Sequence, residues 1–210
     1  MVTVLAPRRG GTVAVQAVAV VAFGLLLGWV TYRLHGTSPW LERATNSSST
    51  WILWTAAAGA LIRVRALAVW GGAAMMLATC CGYYTASALG HTFGAGGLGT
   101  AAVWGAAGLA GGPLLGWAGW TVRRGQGAVR AVAGAVIAMM APAEGLWLGL
   151  TLHYWGEAAV FLSAGALLTL VLTVCLARAG VRRFWLCPLL TPAGAFVLYL
   201  AEFYVFDALL

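Results

Sequence analysis

Apolar runs alternate with short polar breaks along the whole chain. A helix needs about 20 apolar residues to cross the roughly 30 Å hydrocarbon core of a bilayer. The pattern predicts seven helical segments: Thr12–Tyr32, Ser47–Ile62, Ala66–Leu89, Leu98–Val122, Ala131–Leu152, Glu157–Ala177 and Leu186–Phe206. The second is short. Its apolar part, Trp51–Ile62, is about 18 Å long at 1.5 Å per residue, so it either begins in the headgroup region or is a re-entrant half-helix. In the first case Asn46-Ser47-Ser48-Ser49-Thr50 supplies the cap and first turn.

Composition narrows the class. Of 210 residues, 62% are hydrophobic and 8% charged, with a mean hydropathy of +0.90. A soluble domain carries roughly a quarter charged residues. The expected architecture is therefore an all-α, polytopic transmembrane bundle forming one domain over residues 1–210. No room is left for a nucleotide-binding cassette, a kinase module or a nucleic-acid-reading domain. The lipid bilayer is the expected partner, and nucleic acid is not.

Charge sets the orientation. The net charge of +7 comes from twelve Arg, with no Lys, against five acids. If every segment crosses, one flank collects Arg8, Arg9, Arg63, Arg65, Arg123, Arg124, Arg130, Arg178, Arg182 and Arg183, and the other only Arg33 and Arg43. By the positive-inside rule the N-terminus is cytoplasmic and the C-terminus external, with seven spans and Arg63-Val64-Arg65 as a tight inner turn. A re-entrant second segment would place Arg63 and Arg65 outside and blunt the bias. Arg8-Arg9 before an apolar run resembles a signal peptide, but the run continues to Tyr32 without an A-x-A site and reads as a retained first helix. On this topology His35, His91 and His153 and all five acids fall in the outer half.

Two acids lie within segments. Glu144 follows Arg130 by about 21 Å of helix rise, and Glu202 follows Cys187 by about 22 Å, so both are expected at one depth. A carboxylate there must face the bundle interior, be protonated or find a partner. If the fifth and seventh segments are neighbours, the two acids would share a proton. Pro142, two residues before Glu144, frees the Ala138 carbonyl and kinks the segment.

Other candidate chemistry is thinner. His153 and Glu157 are four apart, but Gly156 interrupts the helix that a metal pair needs, and four scattered Cys (Cys80, Cys81, Cys175 and Cys187) show no ligand spacing. No metal and no cofactor is implied, and the glycines between His91 and Gly99 read as a loop without a phosphate-cradling motif. Most of the eleven Trp, Trp51 and Trp104 among them, suit an interfacial aromatic belt. Trp147, one turn from Glu144, is the aromatic expected to line a pocket. Gly108, Gly112 and Gly116 recur at four-residue steps and predict close helix packing. That stripe is also where a second copy or a membrane partner would dock.

Asn46-Ser47…Trp51…Gly59…Arg63, Gly82-Tyr83-Tyr84, Gly112-Pro113…Gly116 and Ala143-Glu144-Gly145-Leu146 together resemble an uncharacterised group of small polytopic membrane proteins from actinobacteria. The resemblance implies a compact helical domain in the bacterial plasma membrane and no assigned activity. It also draws Asn46, Tyr83, Tyr84 and Glu144 together.

The leading functional expectation is an outer-facing intramembrane pocket that binds or passes a small, largely apolar ligand, with Glu144, Glu202, Tyr84, Trp147 and Asn46 as site residues. One alternative is a terpene-cyclase type of enzyme with Glu144 or Glu202 as general acid. Another is a scaffold subunit docking through the glycine stripe.

Overall fold

The computed structural model describes residues 9–91, 94 and 97–209, with side chains described for all of these except residues 9, 10, 12, 39, 40 and 205–209. Among the described residues the chain is helical throughout and forms no strand. The elements are α1 (Arg9–Leu34), α2 (Pro39–Thr45), α3 (Ser48–Leu61), α4 (Arg65–Leu89), α5 (Gly97–Arg124), α6 (Gly127–Ala138) and α7 (Met140–Leu146). A π-helical turn (Trp147–Thr151), α8 (Trp155–Arg178) and α9 (Leu186–Leu209) complete the order. Of the pair Arg8-Arg9, Arg9 opens α1 and Arg8 lies outside the described residues. By length and composition, six helical runs are able to cross a membrane: Val13–Leu34, Arg65–Leu89, Gly97–Arg124, Gly127–Thr151, Trp155–Arg178 and Leu186–Tyr204. α3, with 14 residues, is about 21 Å long and falls short of that length.

The predicted segments match these helices closely, with three differences. The polar stretch before α3 contains an extra helix, α2. Ser38 starts it by accepting a hydrogen bond from the Leu41 N–H at 3.2 Å, and Pro39 occupies the first turn. α5 begins at Gly97, inside the glycine run expected to be loop. The fifth segment is broken into α6, α7 and the π-helical turn. The first break falls at Met139, beside the Ala138 carbonyl that Pro142 cannot bond.

Small residues hold the bundle together. α4 packs on α1, α5 and α3, while α6 to α9 form a second group joined to the first through α5 and α3. Between α1 and α4, a Cβ on Gly28 would overlap the Thr79 carbonyl, and one on Gly82 would overlap that of Leu25. For helices within lipid, which is as apolar as Leu, close backbone approach and dispersion replace the hydrophobic effect as the packing force. The large apolar side chains, such as Leu26, Trp70, Leu98 and Val197, are exposed on the outside of the bundle.

The Gly108/Gly112/Gly116 stripe is occupied within the chain. A Cβ on Gly112 would press on Ala73, one on Gly116 on Ala68 and Gly72, and one on Gly119 on Ala56 of α3. Gly108, Gly112 and Gly116 are buried. The expectation that this stripe offers a docking face for a second copy or membrane partner is therefore corrected: α4 and α3 already fill it.

Polar contacts sort the connections to two ends of the bundle. The Trp120 indole donates to the Arg63 carbonyl at 3.1 Å, and Arg124 donates to the Ala60 carbonyl at 2.6 Å. The α3–α4 and α5–α6 connections thus meet. Ala131, Leu176, Val181 and Cys187 form one buried cluster that brings the α8–α9 connection to the same end. At the opposite end Tyr32 meets Tyr83, with ring centroids 5.9 Å apart, and α2 meets the α8 start through an Arg43–Glu157 ion pair.

Candidate functional site

The centre of polar contact in the bundle is the Glu144 carboxylate. Oε2 accepts from Ser47 Oγ at 2.7 Å, from the Ser49 backbone N–H at 2.9 Å and from Ser48 Oγ at 3.2 Å. These donors surround the first turn of α3. A helix start carries N–H groups with no partner inside the helix and the positive end of its dipole. A carboxylate placed there satisfies a free N–H and is itself compensated for leaving water. Ser47 also acts as the N-cap, its oxygen accepting from the Thr50 N–H at 3.4 Å.

The α2–α3 elbow that presents these serines is itself tied down. The Thr45 carbonyl accepts from Trp51 Nε1 at 3.2 Å and from Thr31 Oγ1 at 3.4 Å, while Thr50 Oγ1 donates to the Ala44 carbonyl at 2.6 Å. Thr31, Ser47, Ser49 and Trp51 are all buried. The α2 end is thus held by α1 and by the first turn of α3, a chain reversal fixed by side chains of these two helices on α2 backbone carbonyls.

Against the elbow lies a cavity of about 160 Å³ lined by Asn46, Ser48, Trp51, Tyr83, Tyr84, Thr100 and Trp104. Its size is close to that of an engineered cavity that admits benzene. Aromatic faces come from α3, α4 and α5. Tyr83 and Tyr84 meet edge to face at 5.2 Å, and Tyr83 meets Trp51 at 6.0 Å. Hydroxyl and amide groups of Ser48, Asn46 and Thr100 supply polarity. Tyr83 also lines a second cavity of about 440 Å³, with Tyr32, Arg33, His35 and Ser87.

The structure brings part of the expected residue set together. Asn46 and Tyr84 line the smaller cavity, and Glu144 stands behind its wall, bonded to the lining residue Ser48. Trp147 begins the π-helical turn and is not among the lining residues. Glu202 sits half-buried on α9, which packs on α7, close enough to Glu144 to interact with its charge. The hydrogen bonds that reach the Glu144 carboxylate come from residues 47–49. Trp51 and Trp104, read as interfacial belt residues, are cavity walls. The serines read only as a cap are the partners of the acid.

Other polar residues at this end form their own contacts. Arg43 pairs with Glu157 and lies over the Tyr154 ring at 5.0 Å. His35 Nε2 lies 3.2 Å from Glu42 Oε1. With Glu157 engaged by Arg43, and His153 at a positive φ of 59° outside any helix, the i, i+4 metal geometry is not formed. Among the described residues, no group of three or more His, Cys, Asp or Glu has the geometry to hold a metal ion.

A family model described as a family of unknown function (DUF6518) matches residues 7–205, and the chain belongs to that family. Neither a curated protein nor a solved structure matches the chain.

Proposed function

We propose that this member of the DUF6518 family is a multi-pass protein of the bacterial plasma membrane that binds a small ligand in the cavity between the α2–α3 elbow, α4 and α5. The observation that carries this reading is the convergence of Asn46, Ser48, Tyr83 and Tyr84 on one cavity whose Ser48 is bonded to Glu144. The aromatic walls suit an apolar or aromatic body, and the amide and hydroxyls suit one or two polar groups upon it. Glu144 is a positioning residue, since it holds the wall rather than lining the cavity. Glu202 and Trp147 belong to the supporting helices behind it.

The proposed topology has seven segments crossing, with the N-terminus cytoplasmic and the C-terminus external. α3 completes its crossing together with the elbow above it. The meeting of the Arg63 and Arg124 connections at one end supports this, because a re-entrant α3 would return Arg63 to the other side. The arginine-rich end is then cytoplasmic, and the cavity lies in the outer half.

Three larger apolar grooves, about 330 Å³ between α1 and α3, about 440 Å³ between α7, α8 and α9, and about 560 Å³ between α4 and α5, have no carboxylate in their lining. A prenyl-protonating enzyme needs an acid inside such a space, so the terpene-cyclase alternative gains no geometric support. The scaffold alternative loses its docking stripe to α3 and α4.

The test is mass spectrometry of small molecules released from detergent-purified protein. Wild type is expected to release a species that Tyr84→Ala and Asn46→Ala lose and that Tyr204→Ala, on exposed α9 surface, retains. Identical release from all four proteins would overturn the reading.

A further inference from the structure

The groove between α1 and α3 is graded in polarity along its length. Gln16, Leu61 and Ile62 lie at one end, and Phe23 and Trp54 at the other, their rings 5.4 Å apart in an edge-to-face contact. α1 and α3 run antiparallel here, so the Gln16 level is the Ile62 level, and Arg63 follows at once. The Arg63 side chain is exposed and makes no hydrogen bond or ion pair among the described residues. Along the groove the Gln16 amide gives way to an apolar channel of about 330 Å³, and the exposed Arg63 follows the lining residue Ile62 in the chain.

Among the described side chains, no acid pairs with the charge at this end. Arg63, Arg65, Arg123, Arg124, Arg130, Arg178, Arg182 and Arg183 gather around the three connections that meet there. Among the acids with described side chains, Glu42, Glu144 and Glu157 have partners at the other end or at the elbow, and Glu202 sits on α9, within range of the Glu144 charge. Arg123 and Arg124 turn to a backbone carbonyl, that of Ala60. Counter-charge for these arginines is therefore sought outside the described side chains. In a membrane the abundant anion at the level of helix ends is the phospholipid headgroup.

We propose that this groove binds an anionic phospholipid, with the phosphate at Arg63, the glycerol ester region at Gln16, and an acyl chain lying along Ala57 towards Phe23 and Trp54. The order of groups in such a lipid, phosphate then ester then hydrocarbon, is the order of groups along the groove. The inference rests on the chain lying in a membrane and is independent of the cavity at the elbow.

The experiment reconstitutes the full chain in phosphatidylcholine vesicles containing rising fractions of acyl-brominated phosphatidylglycerol, or of acyl-brominated phosphatidylcholine. Quenching of Trp54 is read as the difference between wild type and Trp54→Phe. Wild type is expected to reach half-quenching at a fraction about five-fold lower for the anionic lipid, since an arginine near an anionic surface strengthens binding by about that factor. Arg63→Gln is expected to bring the ratio close to one, and Arg63→Lys to retain most of it. Ala57→Phe fills the channel without touching charge and is also expected to bring the ratio close to one, which decides the matter if Arg63→Gln fails to insert. Equal quenching by both lipids in wild type, or a preference that survives Ala57→Phe, overturns the proposal. Absence of the chain from the membrane fraction would instead overturn the membrane reading itself.

Discussion

Ser47 donates a 2.7 Å hydrogen bond to Glu144 Oε2 while its own oxygen accepts from the Thr50 N–H at 3.4 Å. One hydroxyl thus joins the start of a short helix to a carboxylate 97 positions later in the chain. Glu144 rides on α7, between the Met139 break and the π-helical turn, where the backbone leaves regular α-geometry on both sides. The contact therefore links the irregular part of the second helix group to the elbow of the first.

Removing the carboxylate leaves Ser47, Ser48 and the Ser49 N–H without their shared acceptor. Glu144→Ala is expected to cost about 3 kcal/mol, from hydrogen bonds to a charged group and donors left buried. That corresponds to a fall of roughly 6–12 °C in Tm for a chain of this length, measured by thermal unfolding in detergent. Glu144→Gln keeps one acceptor oxygen and is expected to fall between wild type and Ala. In a double-mutant cycle, Ser47→Ala and Glu144→Gln should be non-additive by about 1 kcal/mol. Strict additivity would mean that the two side chains do not interact.

The glycine contacts separate packing from mere composition. Gly116→Val and Gly28→Val force a side chain into the Ala68 and Thr79 carbonyls, and each is expected to cost about 1–3 kcal/mol or to block assembly of the bundle. Gly111 has no atom within 4 Å of an added Cβ, so Gly111→Ala is expected to be neutral. Size-exclusion profiles and Tm of the three variants check the contrast. Equal tolerance at all three positions would contradict the packing described.

The Arg43–Glu157 pair joins α2 to the start of α8, with the two side chains 40% and 16% exposed. Its partial exposure limits its worth to about 1 kcal/mol. Arg43→Glu is expected to lower Tm by a few degrees, and adding Glu157→Arg should recover part of that loss. Recovery comes from charge alone, because the Tyr154 ring under Arg43 loses its cation in the swap.

Orientation is open to direct measurement. In a background with the four cysteines replaced by Ala, Thr37→Cys is expected to react with a membrane-impermeant maleimide in intact cells. Ala179→Cys, at the arginine-rich end, is expected to react only after the membrane is opened. The reverse pattern would invert the topology.

Segment positions were legible because each apolar run reports its own environment. Ser47–Ile62 was expected where α3 covers Ser48–Leu61, and the Pro142 kink where the helix breaks at Met139. α2 was not legible, since Pro39-Trp40-Leu41-Glu42-Arg43-Ala44-Thr45 mixes polar and apolar residues over too few turns to show a period. That Glu144 lies within a helical segment was legible, but its partners were not. Depth arithmetic pointed to Glu202 and left the serines as a cap, because nothing local to residues 47–49 announces an acceptor 95 residues away. Trp51 and Trp104 were hidden in the same way. A tryptophan near a helix end looks alike whether it faces a headgroup or a cavity.

The distance along the chain between Ser47 and Glu144 also fixes an order of events during synthesis. α1 to α5 are complete in sequence before residue 144 exists, so the first helix group is synthesised with its elbow serines still lacking their acceptor. Domains emerge N-terminal part first, and the elbow is sealed only when α7 arrives beside it. A chain broken off before Glu144 would keep the contacts of α1 with α4 and of α4 with α5, yet would carry an open helix start at the depth of the missing carboxylate. The contact thus forms only on chains translated past residue 144.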